Sequence, residues 1–291
     1  MAELLEYSGA ELIEKLNKGE ISVLESLGAH KLKEEMKAAG FFCKLLADYI
    51  CLPKKDDNLR KRAANVLKLV TPADKTYSFP QMNEAVIIGF NHPSLGEIFR
   101  LLLLAFNSYQ DKEYLFPVNL PWYEAITGII PKLARLGIRI TPMITPSTEK
   151  KLKELCKDDN DRLQQIQHFK VVFERRYMRS ARDAAESGSA IFVAPSATRQ
   201  KEVISDHIHP TMTILAHMVY RNPETKATFI PVTVIEPEKN NRGMNLFKKY
   251  TICPCESFER KEVEAAANKT RDFDYLFLQR IDAKRKEFIA E

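Results

Sequence analysis

No run of about 18 consecutive apolar residues, the length a helix needs to cross the hydrocarbon core of a bilayer, occurs in this chain, so no transmembrane helix is expected. Cysteine is scarce and irregularly spaced. The five thiols, Cys43, Cys51, Cys156, Cys253 and Cys255, are an odd number with no framework spacing, and reduced thiols are the expectation. Cys253-Pro-Cys255 lacks a second ligand pair at zinc-site spacing, so no metal is expected. Neither sign of charge dominates: 44 basic against 39 acidic residues leave +5 over 291 positions, too mild an excess to ask for a nucleic-acid partner. Internal repeats and low-complexity tracts are absent. The opening stretch MAELLEYSGAELIEKL has neither the basic start nor the apolar run of a secretory signal, and its acidic residues do not suit a transit peptide. The expected location is the cytoplasm.

What is present is apolar content of 45%, enough for a sizeable core. From Ser8 to about Leu69 apolar residues recur every three or four positions, which predicts helices, with breaks at Gly19, Gly40 and Pro53. After Thr71-Pro72 the pattern changes. Short β-branched runs at 85–90, 114–118, 138–140, 190–194 and 229–234 alternate with helical segments at 95–107, 122–136, 161–186, 212–220 and 275–289. This predicts an α/β fold, a mixed central sheet flanked by helices, preceded by an N-terminal helical region. The turn-rich segment TPADKTYSFPQMNE sets the expected boundary: helical region 1–72, α/β domain 73–291.

The most informative residues are Asn91-His92-Pro93-Ser94-Leu95-Gly96-Glu97, between the first strand and an apolar helix. A histidine at a strand's end sits at the carboxyl edge of the sheet, where open α/β folds bind their ligands. Pro93 holds His92 extended and starts the helix. Glu97 falls in the first turn, within reach of one imidazole nitrogen, which would leave the other free to take a proton from a hydroxyl. A bland reading competes for that carboxylate: Ser94-x-x-Glu97 is also a capping box. Far downstream, Ala194-Pro195-Ser196-Ala197-Thr198-Arg199-Gln200-Lys201 follows the strand at 190–194, and Phe229-Ile230-Pro231-Val232 lies further on.

Taken in order, these segments resemble the glycerol-phosphate and lysophosphatidate acyltransferases, which carry Asn-His-x-Ser/Thr with an acidic residue five positions after the histidine. The second segment is similar to the Ala-Pro-Ser-x-x-Arg loop of the soluble plastid-type glycerol-3-phosphate acyltransferases, and the third to the family's hydrophobic-Pro-Val strand. The resemblance covers roughly residues 84–235. Two departures stand out. Glu97 replaces the family's usual aspartate, and Met143 lies near the place of a mid-domain basic residue that Arg139, Lys150 or Lys151 would have to replace.

The resemblance implies an acyltransferase in which His92, oriented by Glu97, is the general base. Arg199 would grip the acceptor phosphate through its planar fork of donors, with Lys201 adding charge and Asn91, Ser94 and Ser196 in support. It implies an acyl thioester donor, on coenzyme A or an acyl carrier protein, and glycerol-3-phosphate or lysophosphatidate as acceptor. No resident cofactor is needed. The alternative is a non-catalytic lipid- or acyl-carrier-binding protein with the same fold, motivated by Glu97 and the missing basic residue. The exposed arginines expected at 175, 176, 179 and 182, and the segment Phe41 to Leu46, leave open a peripheral contact with an anionic membrane.

Overall fold

The computed structural model describes residues 7–51, 58–70, 77–91, 97–195, 210–235, 250–268 and 272–290, the side chains of 39, 70, 97 and 290 excepted. The chain is α/β with a mixed sheet and flanking helices, and every described element before residue 71 is a helix. Contacts divide the chain into two compact units, one of residues 1–55 and 115–180, the other of 56–114 and 181–291. This division is drawn at other points than the 72/73 boundary expected from composition.

The first unit holds helices α1 (Gly9–Lys18), α2 (Val23–Ser26), α3 (His30–Glu34) and α4 (Lys37–Ile50). Helix α1 starts on a capping box between Ser8 and Glu11 and ends at Gly19, whose left-handed φ of 68° a side chain would strain. Leu12, Leu16 and Leu24 share one core with Tyr123, Leu152, Phe169 and Phe173, so the N-terminal helices find their apolar partners in residues 115–180. The break expected at Gly40 is not there. Gly40 lies inside α4, and a Cβ on it would meet the Ala125 carbonyl oxygen at 2.7 Å; the residue serves close approach rather than termination.

The same unit carries most of strand β2 (Tyr114–Asn119), its neighbour β3 (Ile138–Met143), and helices α7 (Leu120–Ala125) and α8 (Ile130–Arg135), joined by a 3-10 turn over Thr127–Ile129. The single helix expected over 122–136 is therefore two short ones. Gly128 sits at the joint and Pro131 opens the second. Helices α9 (Pro146–Leu155) and α10 (Asn160–Glu186) follow, α10 running on into the second unit.

In the second unit, α5 (Leu59–Val70) packs on α6 (Glu97–Ser108). Four strands lie in the order β4 (Ala190–Val193), β1 (Ala85–Phe90), β5 (Ala227–Ile235), β6 (Thr251–Pro254). The first three are parallel and β6 is antiparallel. Every residue of β1 and β4 is buried, as a sheet covered on both faces requires. Helices α11 (Thr211–Tyr220), α12 (Arg260–Ala267) and α13 (Asp272–Ala290) complete the unit, α13 lying on β5. Phe273 and Phe277 of α13 form an aromatic cluster with Phe229 and Phe258, ring centroids 5.2 to 5.9 Å apart.

Candidate functional site

The site is built on the carboxyl edge of the β4-β1-β5 ribbon. Parallel register sets Gly89 beside Val193 on one side and beside Pro231 on the other, and Phe90 beside Val232. The three segments singled out in the sequence therefore arrive on three adjacent strands. Because the strands are parallel, the stretches after Asn91, after Pro195 and after Ile235 all leave from one edge, and neighbouring strands are spaced by only about 4.8 Å. This is where doubly wound folds place their sites.

His92, Ser94, Ser196, Arg199 and Lys201 lie outside the described residues. Glu97 is the first residue of α6; its side chain, and with it the expected contact with His92 and the capping box, lies outside the described residues. What is described is how the neighbouring backbone is held. Asn91 is buried, and its carboxamide pairs with both backbone groups of Val234: Nδ2 donates to the carbonyl oxygen at 2.7 Å, and the Val234 N–H donates to Oδ1 at 2.7 Å. The side chain thus continues the β1–β5 ladder where the main chain leaves it, and fixes the point from which residue 92 departs.

The stretch after Pro195 is fastened at its far end. Asp274, fully buried on α13, accepts the Met212 N–H at 2.6 Å, the Thr213 N–H at 3.0 Å and the Thr213 hydroxyl at 2.6 Å. A carboxylate from another helix thereby caps α11 and occupies donors that its own first turn leaves free. Burial pushes the Asp274 pKa up, and these hydrogen bonds oppose the shift. Thr233 adds a tie from β5 to α13, its hydroxyl donating to the Ile281 carbonyl at 2.8 Å.

Sequence reasoning passed over Asp274, whose partners lie about sixty positions away, and Arg100. The latter sits three residues after Glu97, buried on α6, and desolvation draws its pKa down. Its signal was readable: one charge inside the apolar run IFRLLLLAF, where burial obliges a guanidinium to find partners. Leu101, Leu103 and Leu104 are core.

The opposite, amino edge of these strands carries an open depression of about 620 Å³, lined in part by Asn83, Glu84, Gly188, Thr225 and Lys226. There the Lys112 ammonium donates to the carbonyls of Asn83, Glu84 and Gly188 at 3.0, 2.7 and 2.9 Å. Its role is to tie three chain segments together, at the end of β1 away from Asn91. Arg139 lies on β3, and Lys150 and Lys151 on α9. Arg175, Arg176, Arg179 and Arg182 are exposed on α10, Arg182 facing Asp183 at 3.5 Å.

All five cysteines are free thiols, and among the described residues no group of three His, Cys, Asp or Glu is placed to hold a metal ion. No described helix is long and apolar enough to cross a membrane. No family model matches the chain, and no curated protein matches it.

Proposed function

We propose that the chain is a glycerolipid-type acyltransferase that moves a fatty acyl group from a thioester to the hydroxyl of glycerol-3-phosphate or lysophosphatidate. The observation that supports the reading is that the strands directly preceding His92 and the 196–201 stretch, and the strand carrying Ile230-Pro231-Val232, are adjacent and parallel. In this reading, residues far apart in the sequence act together on one small acceptor.

In this reading His92 takes the proton from the acceptor hydroxyl as that oxygen attacks the thioester carbonyl. The tetrahedral intermediate collapses with loss of the thiolate of coenzyme A or of an acyl carrier protein. Glu97 orients the imidazole, and Arg199 and Lys201 hold the acceptor phosphate. Asn91 sets the backbone from which the base projects. Ser94 and Ser196 support their loops, and backbone N–H groups at the start of α6 are the natural donors for the oxyanion. No acyl-enzyme and no resident cofactor is required. The reaction is placed in the cytoplasm, with peripheral contact to an anionic membrane that takes up the product.

The test is acyl transfer to radiolabelled glycerol-3-phosphate from acyl-coenzyme A and from acyl-carrier protein. His92→Ala should lose about 10²–10⁴-fold, the contribution of general-base catalysis. Full activity in that variant rejects the reading. Tight thioester binding by the wild type without turnover would favour the non-catalytic alternative that Glu97 suggests.

A further inference from the structure

Helix α4 is apolar on two sides. Its inner side, through Gly40, Ala47 and Ile50, is buried, and α4 packs on α7, the 3-10 turn and α8. Its outer side presents Phe41, Leu45 and Tyr49 at 63%, 52% and 60% exposure. These three recur every fourth residue, so they fall within an arc of about 80° and along about 12 Å of helix. Large apolar side chains in such a row on a water-facing helix mark a contact surface.

Charge says what kind. Lys37 and Lys44 lie about 40–60° to one side of Phe41, both exposed. Asp48, the only acid on α4, is paired with Lys132 of α8, and α8 adds an exposed Arg135 and no acid. The row is therefore bordered on its own helix by the exposed Lys44. The acid that faces it is already paired, and Glu34, before the helix, is paired with Lys37. An apolar row with a lysine at its margin and a tyrosine at one end is the pattern of a helix lying in the plane of a bilayer. The rings enter the acyl boundary and the ammonium groups reach back to the phosphates.

A second copy of the chain fits less well. Three side chains of roughly 200 Å² each, a little over half exposed, offer about 350 Å², short of the ~800 Å² per partner of a stable interface. The bordering lysines would also face one another across a two-fold axis.

We infer that Phe41, Leu45 and Tyr49 of α4 form the seat on which this protein rests on an anionic phospholipid bilayer, with Lys44 and Arg135 contacting the headgroups. The inference gives the peripheral contact proposed above a physical place and rests on that contact, not on acyl transfer.

The test is co-flotation of the full chain with vesicles of phosphatidylcholine containing phosphatidylglycerol, against vesicles of phosphatidylcholine alone. The wild type should float with the anionic vesicles only, and salt should release it. Phe41→Glu and Leu45→Glu should each lower the bound-to-free ratio by about tenfold or more, and Lys44→Glu by several-fold. Leu155→Glu, at an exposed leucine on α9 (55% exposed), should leave the ratio unchanged. All these positions are exposed, so the variants should unfold at the wild-type temperature. Absence of flotation, flotation unaffected by Phe41→Glu, or a wild-type dimer that Phe41→Glu dissolves would each overturn the inference. No acyl donor or acceptor is present, so failure here is distinguishable from failure in the transfer assay.

Discussion

The Asn91 carboxamide holds Val234 by two bonds of 2.7 Å, one in each direction, in the manner of a backbone partner on a neighbouring strand. Val234 is buried, and so is Asn91. Removing the side chain leaves an N–H and a C=O without partners in a place water does not reach, and each such group costs about 1–3 kcal/mol. Asn91→Ala should therefore lose about 2–6 kcal/mol in urea unfolding. In protein that remains folded, the acyl transfer we propose should drop by at least about tenfold, because the base of that proposal, His92, directly follows Asn91 in the chain and misplacement of a base is costly. Stability and rates equal to wild type would show that the ladder ends at Phe90 without help.

Two residues earlier the constraint is steric. A Cβ on Gly89 would stand 2.4 and 2.6 Å from Cε1 and Cζ of Phe277 and 3.2 Å from the methyl of Met212. Phe277 is fully buried in the aromatic cluster, its ring stacked on Phe258 at 5.4 Å, so it has little room to give. Gly89→Ala should cost about 1–3 kcal/mol by overpacking, read as a fall in the thermal midpoint. Trimming the opposing ring relieves the clash. Gly89→Ala combined with Phe277→Leu should lose less than the sum of the two single changes, and strict additivity would show that the ring is not what excludes the methyl group.

The elements legible in the sequence were those with a strong period or a solid apolar run. The strand at 85–90 and the helix at 161–186 differ from the observed β1 and α10 by at most one residue at an end. Strand β6 escaped because Thr251-Ile252-Cys253-Pro254 is short, contains a proline and, among the described strands, pairs with β5 alone. Helix α9 escaped because KKLKE is polar, with Leu152 and Thr148 its buried residues, although Thr145-Pro146 gave a legible start. Gly40 misled because local propensity treats a glycine as a break, whereas here the deciding fact, the carbonyl of Ala125, lies far along the chain. The site divides in the same way. His92 and Arg199 are proposed from local motifs, whereas the bonds from Asn91 to Val234 and from Asp274 to α11 join residues 143 and about sixty positions apart, a distance no local pattern spans.

The first unit has its own buried carboxylate, and its titration should be visible in stability. Glu124 accepts a 2.5 Å bond from the Ser22 hydroxyl and a 3.1 Å bond from the Leu24 N–H. Burial raises its pKa, and the two hydrogen bonds only partly offset this. The folded state thus holds the proton more tightly than the unfolded chain does. The resulting stabilisation is fully present below the unfolded value of about 4.3, and it is lost as pH climbs through the raised folded value. Glu124→Gln keeps the shape and both contacts, since the serine hydroxyl can turn to accept from the amide, but it cannot ionise. Urea unfolding of wild type and variant from acid to neutral pH should show the difference moving in favour of glutamine as pH rises, then levelling once the carboxyl is ionised in both states. A difference that stays constant across that range would mean that Glu124 titrates alike whether the chain is folded or not.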